Sequence, residues 1–303
     1  MKHKSLVAFL VLVSSLSLGY VGLLKLAGQA GQYLAQGYML IPALSAVITR
    51  YFFDERRFSD ANLRLGRATD YVRFWLVSLG ITVLYFASYT VLGAGEWDLS
   101  GETFLANLSE QLAGTGQDIT EGLPPGLTPQ IMLLIYFVGG LTVFNVLPGI
   151  ITGLGEEFGW RGLMFPRLYE IRPWMAFVVG GISWFAWHLP LAWVVSVPQH
   201  LQQSRTEQLA LILPMALGAV ATHTYFAYVF FKTRNILVAS LAHIVLNNAS
   251  ASFGYVFVIE NAFLANLGTV LVMILTVVGL YVTGRFQVFD RVAPNEGGSQ
   301  EGL

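Results

Sequence analysis

Long apolar stretches separated by short polar segments run through most of the chain. A helix that spans a membrane needs about 20 mostly apolar residues. Stretches of that kind occur at roughly residues 5–24, 37–53, 74–93, 131–154, 174–197, 208–231, 236–258 and 262–283. The pattern predicts an all-α fold, a polytopic transmembrane bundle of about eight helices.

The first apolar stretch has two interpretations. Lys2 and Lys4 precede it, and Gly28-Gln29-Ala30 resembles a signal-peptidase cleavage site. Its apolar run of about 20 residues, however, exceeds the usual signal core of about 7–15 residues. We therefore expect an uncleaved membrane anchor.

Composition agrees with membrane insertion. Hydrophobic residues make up 55% of the chain and charged residues only 12%, against about 25% charged in an ordinary soluble domain. The net charge of −1 gives no basic face for nucleic acid, so we expect membrane lipids and no nucleic-acid partner. The chain has no cysteine, which excludes disulfides, thiolate metal sites and a cysteine nucleophile.

The basic residues indicate an orientation. With the N-terminus inside and eight crossings, the C-terminus is also inside, and only Lys25 and Arg205 of the 17 Lys and Arg residues fall outside. Inner loops are enriched in Lys and Arg. The distribution predicts that both termini lie inside.

The polar connections differ in character. Residues 94–130 contain acidic residues but no Lys or Arg, and we expect an outer loop there with a short interfacial helix around 100–113. Residues 54–73 alternate Arg with Asp and apolar residues, which is typical of a solvated or headgroup-facing segment. The tail after Gly284 is rich in Gly and polar residues, a composition that predicts disorder.

Ionisable side chains inside the apolar stretches are the candidate functional residues, because charge is costly in hydrocarbon and should face a partner or a wet cavity. They occur in three fragments. The fragments are Glu156-Glu157-Phe158-Gly159-Trp160-Arg161, Trp184-Phe185-Ala186-Trp187-His188 and His243-Ile244-Val245-Leu246-Asn247.

Helix geometry separates the two adjacent acids. Glu157 and Arg161 are four residues apart, with the acid first, which favours an ion pair on one helix face. Glu156 is rotated by about 100° from Glu157, so it must point elsewhere. A structural ion pair explains Glu157 and Arg161 but leaves Glu156 unexplained, which makes Glu156 a candidate general base.

The other two fragments repeat the four-residue spacing. Trp184 and His188 share one helix face, as do His243 and Asn247. The predicted spans put Glu156 near the inner end of its helix and His188 deeper, in a cavity that opens inwards. A lone membrane histidine is also often a packing residue, and we assign His223, which lies among small residues, to packing.

These motifs resemble the intramembrane endopeptidases of the type II CAAX prenyl protease and bacteriocin-processing group, also called the Abi or CPBP family. That family carries Glu-Glu-x-x-x-Arg, Phe-x-x-x-His and His-x-x-x-Asn or Asp on successive membrane helices. This chain has the same order, with Trp184 in place of Phe, a change that we expect to affect cavity shape. The resemblance covers roughly residues 130–260.

The resemblance implies a division of the chain into three parts. Residues 1–129 would hold the first membrane spans and the acidic outer loop, and residues 130–260 a catalytic helical core. Residues 261–303 would hold the last span and a disordered cytoplasmic tail.

The resemblance also implies peptide-bond hydrolysis. Glu156, assisted by His188, would activate a water molecule, and His243 with Asn247 would donate hydrogen bonds to the oxyanion. Glu157, Arg161 and Trp184 would support the site.

Metal use stays open at this stage. The family has also been described as metalloproteases, and Glu156, His188, His243 and Asn247 are the residue types that could hold a divalent metal such as zinc. The chain lacks the His-Glu-x-x-His pattern of many zinc proteases. We favour a metal-free mechanism.

The expected substrate is a membrane-associated or lipidated peptide or protein that approaches from the cytoplasmic side or the inner leaflet, in a prokaryotic plasma membrane. The alternative is a non-enzymatic membrane protein, either a transporter or a scaffold, with a buried polar binding site. An inverted-repeat transporter should contain two related halves, and the sequence contains no such repeat.

Overall fold

The computed structural model describes residues 3–28, 31, 34–113, 126–192 and 204–290. The α-helices of this part of the chain are α1 Lys4–Leu26, α2 Ile41–Phe52, α3 Ala68–Leu92, α4 Glu102–Ala113, α5 Pro129–Leu141, α6 Val143–Val146, α7 Gly149–Gly159, α8 Phe165–Ile171, α9 Pro173–Ala192, α10 Arg205–Thr233, α11 Ile236–Gly254 and α12 Ala262–Val282. A π-helical turn, Trp160–Met164, joins α7 to α8, and 3₁₀ helices cover Ala35–Leu40 and Arg285–Val288.

The all-α prediction is confirmed. Six helices, α1, α3, α9, α10, α11 and α12, are long and apolar enough to cross a membrane by their length and composition. The protein is therefore an integral, multi-pass membrane protein. The count of eight spans and the inner location of both termini stay predictions.

Sheet structure in the described residues is limited to one antiparallel pair. Strand β1, Gly95–Trp97, pairs with β2, Phe257–Ile259. This ties the end of α3 to the end of α11. A helix is present where a short interfacial helix was predicted around 100–113, as α4, and its interfacial position stays a prediction.

Some predictions fall outside the described residues. They concern Lys2, Gln29 and Ala30 of the possible signal sequence, residues 114–125 of the acidic loop, and the tail from residue 291.

The continuous span predicted over 131–154 is wrong. Helix α5 ends at Leu141, and Thr142 leaves the helical region with φ −130° and ψ −91°. Leu147 is extended, as expected for a residue before proline. Helical backbone then runs unbroken from Gly149 to Ile171, so Glu157 and the buried Arg161 lie on one helical run.

Helix α11 is the centre of the bundle. It packs against α3, α5, α7 and α10. In its most apolar window 67% of residues are buried within the protein, against 22% in α1. Because α11 carries the third motif, His243 of that motif is buried in the protein core, whereas Asn247, one turn further along, is exposed.

Helix α7 packs closely on both sides because glycines line two of its faces. A Cβ atom at Gly153 would lie 2.7 Å from the carbonyl oxygen of Ser240 on α11. A Cβ atom at Gly159 would lie 2.7 Å from the carbonyl oxygen of Pro42 on α2. Small residues allow such close approach between membrane helices, and here they hold α7 between α2 and α11.

Candidate active site

An antiparallel hairpin brings the first two motifs together. The helical run from α7 to α8 turns at Arg172 into α9, and Glu156 precedes Arg172 by as many residues as His188 follows it. The rings of Trp160 and Trp187 meet across the hairpin at 5.5 Å. The expectation that His188 lies deeper than Glu156 is therefore wrong, because it relied on the incorrect boundaries of the fourth span.

Glu156 lies between the two motif histidines. Its carboxylate is almost fully buried, and its Oε2 accepts a hydrogen bond of 2.9 Å from the Trp184 indole N–H. His188 Nε2 lies 3.9 Å from Oε2, and His243 Nε2 lies 3.8 Å from Oε1. Both separations exceed hydrogen-bonding distance, but a water molecule between these groups can bond to the carboxylate and to an imidazole.

Glu157 has different partners from Glu156. Its Oε1 accepts a hydrogen bond of 2.8 Å from Arg161 Nη1, so the expected ion pair is present. The same oxygen lies 2.7 Å from His243 Nδ1, a contact that the sequence did not predict. Glu157 thus links the first motif directly to the third.

The Arg161 guanidinium is compensated by aromatic faces as well as by Glu157. It is fully buried, and it lies 5.1 Å from the ring centroids of both Trp184 and Phe226. Cation–π attraction is strongest where the cation is desolvated. The phenyl ring of Phe226 also stacks on His243 at 4.5 Å, so Arg161 and His243 share one aromatic wall.

Hydrogen-bond partners determine the tautomers of the two histidines. His188 Nδ1 lies 2.8 Å from the carbonyl oxygen of Trp184, which can only accept, so this nitrogen carries the proton. His243 Nδ1 likewise carries a proton toward the Glu157 carboxylate. In each neutral imidazole the unprotonated Nε2 then faces Glu156.

In the cluster of Glu156, His188 and His243, the side chains of Glu156 and His243 are buried and that of His188 is partly exposed. The His188 side chain is 36% exposed, whereas that of Glu156 is 4% exposed, so access to the carboxylate is past His188. Asn247, one turn beyond His243 on α11, is exposed and makes no hydrogen bond to any described residue. The structure thus brings six of the predicted site residues into contact and leaves the Asn247 amide outside their network.

Trp184 has a larger role than the sequence suggested. Its N–H binds the Glu156 carboxylate, which a phenylalanine could not do. The expectation that the Trp184 change affects cavity shape alone is therefore incomplete. The sequence signal was the indole itself, a hydrogen-bond donor one helical turn before the motif histidine.

The packing role predicted for His223 agrees with its surroundings. The imidazole is fully buried, its Nε2 lies 3.1 Å from the carbonyl oxygen of Ala176, and its ring lies 5.6 Å from that of Phe165. Among the described residues, no hydrogen bond or ring contact joins His223 to Glu156, His188 or His243.

The candidate metal ligands do not fit a metal site. Within the described part of the chain, no group of three or more His, Asp or Glu side chains is arranged to hold an ion. One Glu156 oxygen already accepts a hydrogen bond from the Trp184 indole. The Asn247 amide oxygen lies outside the hydrogen-bond network of the site. No step below is assigned to a metal.

The fold and this cluster define a multi-pass helical membrane protein with a buried glutamate that faces two histidines. Residues 138–249 match the family model described as type II CAAX prenyl endopeptidase Rce1-like. The matched segment contains all three motifs and confirms the resemblance to the CAAX protease family. The match supports intramembrane CAAX endopeptidase activity in general. No curated protein matches the chain.

Proposed function

We propose that this protein is an intramembrane endopeptidase that hydrolyses peptide bonds of membrane-associated or lipidated substrates with a Glu- and His-activated water molecule. One observation carries the proposal: the Nε2 atoms of His188 and His243 approach opposite oxygens of Glu156 at 3.9 and 3.8 Å. This leaves room for water at a buried carboxylate that has no ion pair at hydrogen-bonding distance.

In the first step Glu156 removes a proton from this water molecule while the water oxygen attacks the scissile carbonyl carbon. His188 assists because its unprotonated Nε2 can accept a hydrogen bond from the same water. Glu156 then delivers the proton to the amide nitrogen as the carbon–nitrogen bond breaks. General acid–base catalysis of this kind contributes about 10²–10⁴-fold to a rate.

The third motif supplies the oxyanion donors. When both ring nitrogens of His243 carry protons, Nε2 can donate a hydrogen bond to the oxyanion while Nδ1 donates to the Glu157 carboxylate. Asn247 follows on the same helix face, and its amide is free to turn toward the oxyanion. Loss of one such donor costs about 10²–10³-fold in kcat in proteases.

The substrate is proposed to approach from the cytoplasmic side or inner leaflet of a prokaryotic plasma membrane. The basic residues of the polar connections support this orientation. A non-enzymatic transporter or scaffold with the same buried polar site is the alternative.

The Glu156→Gln variant tests the proposal. It keeps the size of the side chain and the Trp184 hydrogen bond but removes the base, so we expect cleavage of a prenylated peptide ending in Cys-aliphatic-aliphatic-X to fall by about 10²–10⁴-fold. Yield and melting temperature should stay near those of the wild type. Equal turnover by both proteins would refute Glu156 as the base, and binding without cleavage by the wild type would favour the scaffold or transporter.

A zinc chelator added to the same assay separates the two mechanisms. Metal-free water activation predicts full activity in 1,10-phenanthroline. Loss of activity that added zinc restores would instead favour a metal-assisted reaction.

A further inference from the structure

The connection between α2 and α3, residues 53–67, contacts both helices that carry the acid and the oxyanion motifs. Asp54 and Asp60 of this connection bind Arg50 of α2 and Arg167 of α8, and we call these four residues, Arg50, Asp54, Asp60 and Arg167, the arginine clamp. None of them belongs to the three motifs. Arg50, the last basic residue of α2, is fully buried.

Arg50 binds the π-helical turn that follows the two glutamates. Its Nη2 donates a hydrogen bond of 2.5 Å to the carbonyl oxygen of Gly162, next to Arg161. Its Nη1 donates a hydrogen bond of 2.6 Å to Asp60 Oδ1 and another to the carbonyl oxygen of Arg57. A π-helical turn disturbs the regular backbone bonding of a helix, and here Arg50 holds one carbonyl of that turn.

Asp60 connects Arg50 to α8. Its Oδ2 accepts a hydrogen bond of 2.8 Å from Arg167 Nη1, and Arg167 Nη2 also binds Asp54 at 2.6 Å. Burial alone would raise the pKa of Asp60, but the hydrogen bonds and charges of Arg50 and Arg167 lower it below its ordinary value. Asp60 is therefore ionised at neutral pH and joins two buried cations.

The other end of the α2–α3 connection binds the helix that carries His243. The N–H of Ile236, the first residue of α11, donates a hydrogen bond of 3.3 Å to the carbonyl oxygen of Asn62. Arg64 Nε donates a hydrogen bond of 2.8 Å to the carbonyl oxygen of Arg234. Gly66 has a φ of +70° and lies directly against the side chain of Asn235, the N-cap of α11.

We infer that Arg50 and Asp60 are positioning residues for the proposed reaction, because the α2–α3 connection sets the Gly162 turn and the start of α11 relative to each other. The Glu157–His243 contact of 2.7 Å is the point where α7, which leads into that turn, meets α11 in the site. The inference rests on the proposed function for its kinetic consequence but not for its structural one. A misplacement of about 1 Å can cost about 10²-fold in rate.

The kinetic test uses Arg50→Met and Asp60→Asn, with Arg56→Met as the matched control. Arg56 lies in the same connection and forms an exposed ion pair with Glu170. It approaches Asp60 only at 3.7 Å, beyond hydrogen-bonding distance, so its loss leaves the hydrogen bonds of Asp60 to Arg50 and Arg167 in place. With the prenylated peptide as probe, we expect kcat to fall by about 10–10²-fold in the two clamp variants and KM to change little. The control should behave as the wild type.

A second measurement does not need activity. Nitroxide labels on Arg172→Cys and Ala251→Cys, both exposed positions in a cysteine-free chain, report the separation of the α8 end from the far end of α11. The clamp variants should shift or broaden this distance distribution, and Arg56→Met should not.

The outcomes are distinguishable. Unchanged kinetics and unchanged label distances in Asp60→Asn would overturn the inference, as would equal changes in the Arg56→Met control. If Arg50→Met does not fold, Asp60→Asn decides, because it leaves the Arg50 bond to Gly162 in place. If the wild type cleaves nothing, the proposed function fails while the label distances still test the clamp.

Discussion

At the scale of single residues, the adjacent acids Glu156 and Glu157 have different environments. Glu157 accepts hydrogen bonds from Arg161 and His243, so its charge is balanced inside the protein. Glu156 accepts a hydrogen bond from the neutral indole of Trp184. Its carboxylate oxygens lie 3.9 Å from His188 Nε2 and 3.8 Å from His243 Nε2. The difference follows from the rotation between consecutive helical residues, and it leaves one carboxylate available for proton transfer.

The Glu157–Arg161 pair gives a stability prediction. Removal of one partner from a buried pair leaves an uncompensated charge, which costs about 3–5 kcal/mol, so Glu157→Gln and Arg161→Met should each lower the melting temperature. The double variant should recover part of the loss. Additive effects in this double-mutant cycle would show that the two side chains do not interact.

The Trp184 hydrogen bond gives a prediction about activity. Trp184→Phe restores the usual family residue but removes a donor to a charged acceptor, a bond worth about 1.5–3 kcal/mol. We expect a folded enzyme with kcat lowered by about tenfold, because water can replace part of the lost interaction.

Trp187→Phe is the matched control for this change. It removes the indole hydrogen bond to Ser17 but keeps an aromatic ring against His188, so kcat should stay near the wild-type value. A larger loss in Trp187→Phe than in Trp184→Phe would contradict the assigned role of Trp184.

At the scale of elements, the position of α7 depends on glycine faces that touch neighbouring backbones. A methyl group at Gly153 would meet the Ser240 carbonyl of α11 at 2.7 Å, and backbone cannot move as cheaply as a flexible side chain. At Gly162 the nearest atoms would lie at 3.7 Å, an ordinary contact. Two glycines of the same helical run are therefore expected to differ sharply.

We predict that Gly153→Ala lowers the melting temperature and activity together, because it forces α7 away from α11 and separates Glu157 from His243. Overpacking of this kind costs about 1–3 kcal/mol. Gly162→Ala should be nearly neutral in both measurements. Equal effects of the two substitutions would mean that close α7–α11 packing does not determine the site.

At the scale of the whole molecule, the N-terminal helices are part of the site's support. The Tyr38 hydroxyl donates a hydrogen bond of 2.7 Å to the carbonyl oxygen of Trp187, and Arg50 donates one to the carbonyl oxygen of Gly162. The division at residue 130 stays a prediction, but these contacts join the first part directly to the segment that carries the motifs.

Orientation in the membrane is testable with single cysteines. Leu99 and Ser59 are both exposed, on opposite sides of the predicted topology. Leu99→Cys should react with a membrane-impermeant thiol reagent in intact cells, and Ser59→Cys only after permeabilisation. The reverse labelling pattern would invert the protein, and extracytoplasmic peptides would then be the substrates to test.

The amino-acid sequence alone determined the features that depend on local chemistry and regular helix geometry. Apolar stretches identified a helical membrane protein, and four-residue spacing predicted the Glu157–Arg161 pair, since both follow from properties of one segment. Hydropathy windows failed between residues 131 and 171, because they ended the fourth span at residue 154, although helical backbone continues to Ile171.

Only the tertiary structure decided which helix faces meet. The contacts of Glu157 with His243, Trp184 with Glu156 and Arg50 with Gly162 join segments far apart in the chain. The periodicity of one helix fixes which residues share a face but not which neighbour covers that face. That choice depends on the glycine contacts of α7 and on the hairpin at Arg172, and these contacts form only when the whole bundle packs.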